Sequence, residues 1–242
     1  MDLTRRHFSS INSTNTWAKE HTDELPRDKI TLITADTQTG GRGRFNRQWK
    51  SPPGENIYAT FCLCVEKPPQ QIGNLPQVLA VSAAAVLKNL HFQPELKWPN
   101  DILLSGKKVG GILAETTSVT NQLCVIIGIG LNINMPLETL KQIDQPATSL
   151  IVEAGHRFSV ETVLQELQAE FTENIKLFFS DGFSPFLETY REYVTQNPEK
   201  TVRFHDNRKI WEGTLHSINE DGSLCLRLPG GEIKTFIAGE IL

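Results

Sequence analysis

The sequence has no long hydrophobic run. Its longest apolar stretch, Leu123 to Ile133, falls far short of the roughly 20 residues a membrane helix needs. The start, Met1-Asp2-Leu3-Thr4-Arg5-Arg6-His7, has no apolar segment behind its basic pair, so no secretory signal is expected. Basic excess is also missing. Lys plus Arg is 24 against 28 for Asp plus Glu, a net charge of −4, which argues against a general nucleic-acid binder. Cysteine is scarce, with Cys62, Cys64, Cys124 and Cys225 the only four. They form no C-x-x-C pair and have no histidine partners at zinc spacing. Cys62 and Cys64 are expected to be buried free thiols on one face of a strand, as suits a reducing, cytoplasmic setting. No G-x-S-x-G elbow, H-E-x-x-H pair or complete Walker loop is present, and Gly128-x-Gly130 lacks the third glycine of a dinucleotide fingerprint.

What remains is ample for folding. The 242 residues are 39% hydrophobic and 21% charged, which excludes an intrinsically disordered chain. The patterning predicts a helix near Asn15–Glu24 capped by Ser13 or Thr14, then strands at Ile30–Ala35 and Ile57–Val65. A buried helix over Val78–Leu90 follows, with a short strand at Glu95–Trp98 and two more at Val109–Thr116 and Leu123–Leu131. The last is apolar on both faces and is expected at the centre of its sheet. Asn134–Thr148 reads as a mobile loop. A long helix runs from the Ser159 cap to about Phe179, Gly182 ends it, and Ser184-Pro185 opens another. Asn197-Pro198 marks a boundary. Beyond it, short strands at Thr201–Phe204, Ile210–Ile218, Leu224–Leu228 and Ile233–Ile237 predict a small barrel.

Three stretches carry chemistry. Thr37–Gly54 holds Arg42, Arg44, Arg47 and Lys50 without an acidic residue, interleaved with Gly40, Gly41 and Gly43. Glycine permits close backbone approach and arginine forks match carboxylate and phosphate oxygens, so an anion-binding loop is expected. A merely solvated basic loop is the plainer alternative, but Trp49 in the same loop can close over a flat ligand. The second stretch is Lys97-Trp98-Pro99-Asn100-Asp101 followed by Lys108-Val109-Gly110-Gly111. In it Lys97 stands at a strand end beside a turn-forcing proline. The third is Gly128-Ile129-Gly130-Leu131-Asn132-Ile133-Asn134, whose asparagines either form a turn or bind a hydroxyl or phosphate.

Together the runs Ser13-Thr14-Asn15, Gln38-Thr39-Gly40-Gly41-Arg42-Gly43-Arg44, Lys97-Trp98-Pro99-Asn100-Asp101, Lys108-Val109-Gly110-Gly111-Ile112-Leu113-Ala114-Glu115 and Gly128-x-Gly130-x-Asn132 resemble bacterial biotin protein ligases. The resemblance implies an α+β fold: a mixed sheet with flanking helices related to class II aminoacyl-tRNA synthetases, over residues 1–195. An SH3-like barrel over 196–242 would follow. It implies that biotin and ATP form biotinyl-5′-AMP, and that the biotinyl group passes to a lysine of a biotin carrier protein of acetyl-CoA carboxylase. By position, Lys97 and Arg44 would be catalytic. Ser13, Thr14, Asn15, Gln38, Gly41, Arg42, Gly43, Arg44, Trp49, Lys97 and Gly111 would bind biotin, with the glycine–arginine loop as a lid. Arg42, Arg44, Asn100, Asp101, Lys108 and Asn132 would bind ATP, with Mg²⁺ carried on the phosphates and no direct protein ligand.

The resemblance also implies a form without the DNA-binding domain some members carry, since the pattern begins by Ser13. No DNA or membrane partner is expected, and a homodimer is common in the family. Two departures stand out. Phe45-Asn46 replaces the usual continuation of the loop, and Pro146-Ala147-Thr148 offers no tryptophan for adenine. Lipoate ligation is the nearest rival, but the chain has no triple glycine of the kind that family shows. An inactive binding protein is another rival, against which the intact Lys97 and arginines argue.

Overall fold

The computed structural model describes residues 2–194, 201–206 and 208–242. The boundary expected at Asn197-Pro198 lies outside them, as does the turn residue Asn207. Strand β1 (Asp2–Phe8) runs parallel to β2 (Lys29–Ala35), with helix α1 (Thr14–Glu20) between them. Then come β3 (Ile57–Val65), α2 (Leu75–Asn89), β4 (Pro94–Lys97), β5 (Asp101–Leu104), β6 (Lys107–Val119) and β7 (Gln122–Leu131). These seven strands form one mixed sheet in the order β1-β2-β3-β7-β6-β5-β4, so β7 lies at its centre. That is the place its two-sided apolar pattern requires.

Alternation divides the sheet into two faces. Ile57, Ala59, Phe61 and Leu63 join the main core with α2 and α5 (Val160–Asp181). Phe61 meets Phe171 of α5 edge-on at 4.8 Å. The α5 stripe of Val163, Leu164, Leu167, Phe171, Ile175 and Phe178 is buried, and Ser159 caps the helix by accepting from the Thr162 amide. The opposite face carries α1, whose Ala18 packs with Ile33, Cys62 and Ile126. Ser13 caps α1 through the Thr16 amide.

Asn134–Thr148 is largely without regular structure, but it contains the short helix α3 (Leu137–Leu140), precedes α4 (Leu150–Ala154), buries Asn134, Met135 and Thr148, and bridges to Lys108 through Ala147. Two points of the sequence reading need correction. The strands β1 and β5 were not anticipated. Cys64 is not a free thiol: the β3–β7 register sets it directly opposite Cys124, with Cα atoms 4.0 Å apart, and the two are disulfide-bonded. Spacing along the chain carries no trace of a partner that only register supplies. Cys62 stays free and buried, and burial pushes its thiol up to about 12.

Beyond α6 (Ser184–Tyr193), strands β8 (Thr201–His205), β9 (Ile210–Ile218), β10 (Leu224–Arg227), β11 (Ile233–Phe236) and β12 (Glu240–Ile241) form a second, antiparallel sheet ordered β11-β10-β9-β8-β12. It is SH3-like and strongly curled. Phe204 on β8 and Phe236 on β11 stand three strands apart, yet their rings lie 4.4 Å apart. This module sits on the main sheet's α2 end. Trp98 Nε1 and Gln77 Nε2 both donate to the Gly222 carbonyl, at 3.1 and 2.9 Å, and Asn74 donates to the Asp221 carbonyl at 2.8 Å. Among the described residues, no helix is long and apolar enough to cross a membrane.

Candidate active site

The α1 face of the central strands is floored by glycine. Gly111 on β6 pairs with Gly130 on β7, and Leu113 pairs with Gly128. Close approach demands this. A β-carbon on Gly130 would stand 2.3 Å from Trp49 Cε2, and one on Gly128 would stand 2.1 Å from Asn15 Oδ1. The bare floor opens a cleft lined by Ser13, Thr14, Asn15, Gln38, Arg42, Gly43, Arg44, Trp49, Lys97, Asn100, Asp101, Lys108 and Gly111 among others. Residues from five separated runs of sequence therefore meet in one cavity.

One end of the cleft is a polar chain. Gln38 Oε1 accepts from the Thr14 amide at 2.9 Å, and Gln38 Nε2 donates to Ser51 Oγ at 3.2 Å. Thr60 Oγ1 lies 2.8 Å from Thr14 Oγ1 and 2.7 Å from Asn15 Oδ1. Asn15 Nδ2 donates to the Leu113 carbonyl at 3.0 Å. These bonds orient the Gln38 and Asn15 amides and the Thr14 hydroxyl.

The other end is cationic. Lys97 ends β4 beside the cis Trp98–Pro99 peptide. Its ammonium pKa is lowered, first by burial and then by Lys108 and Arg47, while Asp101 and Glu240 pull it back up. Lys108 Nζ binds Asp101 at 2.6 Å and lies 5.6 Å from the Trp49 ring centre. Burial also lowers the Arg44 pKa. Among the described residues the buried Trp49 indole Nε1 has no acceptor.

The glycine–arginine loop is a small hairpin. Gly43 N–H donates to the Arg47 carbonyl at 2.7 Å and Trp49 N–H to the Gly41 carbonyl at 2.9 Å. Phe45 turns its tip at φ 55°, with the Arg44 guanidinium 5.0 Å from its ring centre. The cations are held at both sides. Arg42 binds Glu115 at 3.1 Å, and Arg44 donates to the Gly239 carbonyl at 2.8 Å.

Two expected residues fall elsewhere. Gly41 lies behind the wall, under the Trp49 carbonyl and Ser51. Asn132 is buried and donates to the Thr148 carbonyl at 3.0 Å. It lines an adjoining cleft with Lys50, Gln142, Gln145, Pro146 and Ala147. Gln48, Gln145, Glu240 and Ile241 also line the first cleft and were not anticipated. Glu240 comes from β12, and an isolated glutamate 193 residues from its arginine leaves no spacing signal. Glu115 stood inside a noted motif, but only the fold gives it a partner.

The cleft thus has a glycine floor on a mixed sheet and an arginine hairpin pinned by the small antiparallel module. The profile described as the biotin/lipoate A/B protein ligase family matches residues 7–132, and that of the biotin protein ligase C-terminal domain matches 199–242. The chain belongs to the biotin/lipoate A/B protein ligase family. It is similar to the bifunctional ligase/repressor BirA of Bacillus subtilis (strain 168), at 32% identity over 86% of this chain and 65% of that protein. It thus spans just under two thirds of that relative's length. The biotin–[acetyl-CoA-carboxylase] ligase of Mycobacterium tuberculosis is 31% identical over 89% of this chain and 79% of that one. The biotin protein ligase of Aquifex aeolicus, solved in complex with biotin and ATP, superposes with a TM-score of 0.81 at 28% identity, covering 100% of this chain and 97% of that one.

Proposed function

We propose that the chain is a biotin protein ligase that makes biotinyl-5′-AMP from biotin and ATP and transfers the biotinyl group to a lysine of an acetyl-CoA carboxylase carrier protein. The carrying observation is the continuity of one cleft from the hydrogen-bonding wall of Ser13, Thr14 and Gln38 to the cations Lys97, Lys108 and Arg44. A polar ring system attached to a carboxylate fits that gradient. Its carboxylate would lie where positive charge gathers, and the orphan Trp49 N–H would find an acceptor.

In the first step a biotin carboxylate oxygen attacks the α-phosphorus of ATP. The bond from phosphorus to the bridging β-oxygen breaks and pyrophosphate leaves. Charge builds on phosphate oxygens, and fixed cations in a partly desolvated site stabilise it. Lys97 must therefore remain protonated and is not a base. In the second step the neutral amine of the acceptor lysine attacks the acyl carbon. The carbon–oxygen bond to AMP breaks, AMP leaves, and the amine loses its proton. The arginine hairpin excludes water from the intermediate meanwhile.

The donor set does not build a resident metal centre. Among the described residues no group of three or more His, Cys, Asp or Glu could hold an ion, and Asp101 already faces Lys108. Mg²⁺ would arrive as part of MgATP. Residues 1–195 would form the catalytic unit and 196–242 its cap, and the use of ATP fits a cytoplasmic site of action. The test is ATP-dependent incorporation of labelled biotin into a carrier domain, with lipoate as the competing acid. Labelling by biotin and not by lipoate is expected. Preference for lipoate would overturn the reading.

A further inference from the structure

Glu115 projects from β6 on the cleft side, one pleat beyond Leu113, and has no place in the mechanism above. Its carboxylate gathers three partners. Oε2 accepts from Arg42 Nη2 at 3.1 Å and from Asn15 Nδ2 at 3.4 Å, and Oε1 pairs with Lys19 Nζ at 3.2 Å. The carboxylate side chain is 18% exposed, against 39% for Arg42 and 48% for Lys19. The acid is thus the sheltered centre of the cluster and the two cations reach in to it.

Arg42 Nη2 also donates to Thr16 Oγ1 at 3.2 Å. At that point the hairpin crosses from the α1 wall to the loop strands, and Arg42 pairs with Gln48 across it. Glu115 therefore connects the sheet floor, the Asn15 wall and the first arginine of the hairpin. The hairpin is tied at its far side through Arg44 to Gly239 and through Arg47 to Glu240, and Glu115 supplies the tie on the opposite side.

We infer that Glu115 is a positioning residue that holds Arg42 and so sets how long the acyl-adenylate stays enclosed. The inference rests on the biotin-adenylating reading and deepens it. Glu115 touches no reacting atom. Its loss should leave Lys97, Lys108 and Arg44 in place while freeing Arg42 and one edge of the lid.

The experiment measures two quantities on the full chain: adenylate synthesis, by pyrophosphate exchange, and escape of biotinyl-AMP, by release from a preformed complex. Glu115→Gln should speed release about three- to tenfold and change exchange less than about twofold. In an Arg42→Gln background the same substitution should add nothing, because its effect runs through that arginine. Lys19→Met should leave release unchanged. Glu115→Asp, which keeps the charge but withdraws it by one methylene, should fall between wild type and Glu115→Gln, and covers the case in which Glu115→Gln does not fold. Release at the wild-type rate in both Glu115 variants, or an undiminished increase in the Arg42→Gln background, would overturn the inference alone. Failure of the wild type to make any biotinyl-AMP would overturn the underlying reading with it.

Discussion

Arg47 and Glu240 form a two-pronged ion pair, Nη1 to Oε2 at 2.8 Å and Nη2 to Oε1 at 2.7 Å, joining the hairpin over the cleft to the last strand of the C-terminal module. Bidentate geometry of this kind carries direction as well as charge. With the Arg44–Gly239 bond beside it, the small module is a brace for the lid. Glu240→Gln removes one charge and leaves the shape. The expected result is a several-fold rise in KM for ATP with little change in melting temperature, measured by pyrophosphate exchange and calorimetry. Unchanged kinetics would show that the brace is incidental.

Lys97 is the cation best placed for charge that appears only in the transition state. Lys97→Ala should cut adenylate formation by more than about 100-fold, the scale of removing one preorganised donor. Biotin should still bind, because the Ser13–Thr14–Gln38 wall is untouched, and isothermal titration would show it. Retention of most exchange activity would refute the assignment.

The same lysine makes the reaction pH-dependent in a definite sense. Its positive charge is present below its pKa and lost above it. Burial lowers that pKa, and the Asp101 carboxylate partly restores it. Pyrophosphate exchange should therefore decline on the alkaline side at a pH below the ordinary lysine range. Asp101→Asn should move that decline to still lower pH. A pH–rate profile with the same alkaline limb in both proteins would contradict this.

How much of this could be read from the residues alone depends on where each contact originates. Strand β3 matches its expected bounds, Ile57–Val65, because a run apolar on both faces between turn residues has few alternatives. Helix α5 was legible from its three-and-four spacing. Strand β1 was not, since Arg5, Arg6 and His7 on an exposed edge break the alternation. Strand β5 is four residues beside a proline turn, too short to show a period. Most residues carried in motifs line the cleft, Gly41 and Asn132 apart, whereas Glu240 and the pairing of Cys64 with Cys124 arise from long-range docking and register.

That disulfide yields a prediction independent of catalysis. It closes a separation of 60 residues between the two central strands. In chain-entropy terms such a crosslink contributes roughly 4 kcal/mol. Protein purified without reductant should show only Cys62 and Cys225 to an alkylating agent after denaturation, and all four cysteines after reduction. Reduction should also lower the urea midpoint. Four reactive thiols without reductant would mean that the bond does not form.

The last prediction separates two positions in the hairpin. Gly43 has extended backbone, φ −105°, and a β-carbon there would meet only ordinary contacts, the nearest being the Arg47 carbonyl oxygen at 3.6 Å. Gly43→Ser should therefore leave the hairpin intact and behave like wild type. Arg44→Ala is different, because it removes both a reaction-centre cation and the tie to Gly239. If the hairpin retains a hydrolysable acyl-adenylate, its loosening frees an intermediate that acylates any exposed lysine. Arg44→Ala should thus raise labelling of bovine albumin relative to the carrier domain, even as total synthesis falls. The measurement is the ratio of the two labels for wild type and both variants. If Arg44→Ala loses both labels in parallel, the arginine acts in synthesis and not in retention. If Gly43→Ser raises the ratio instead, the hairpin depends on a conformational freedom at Gly43 that its extended backbone does not require.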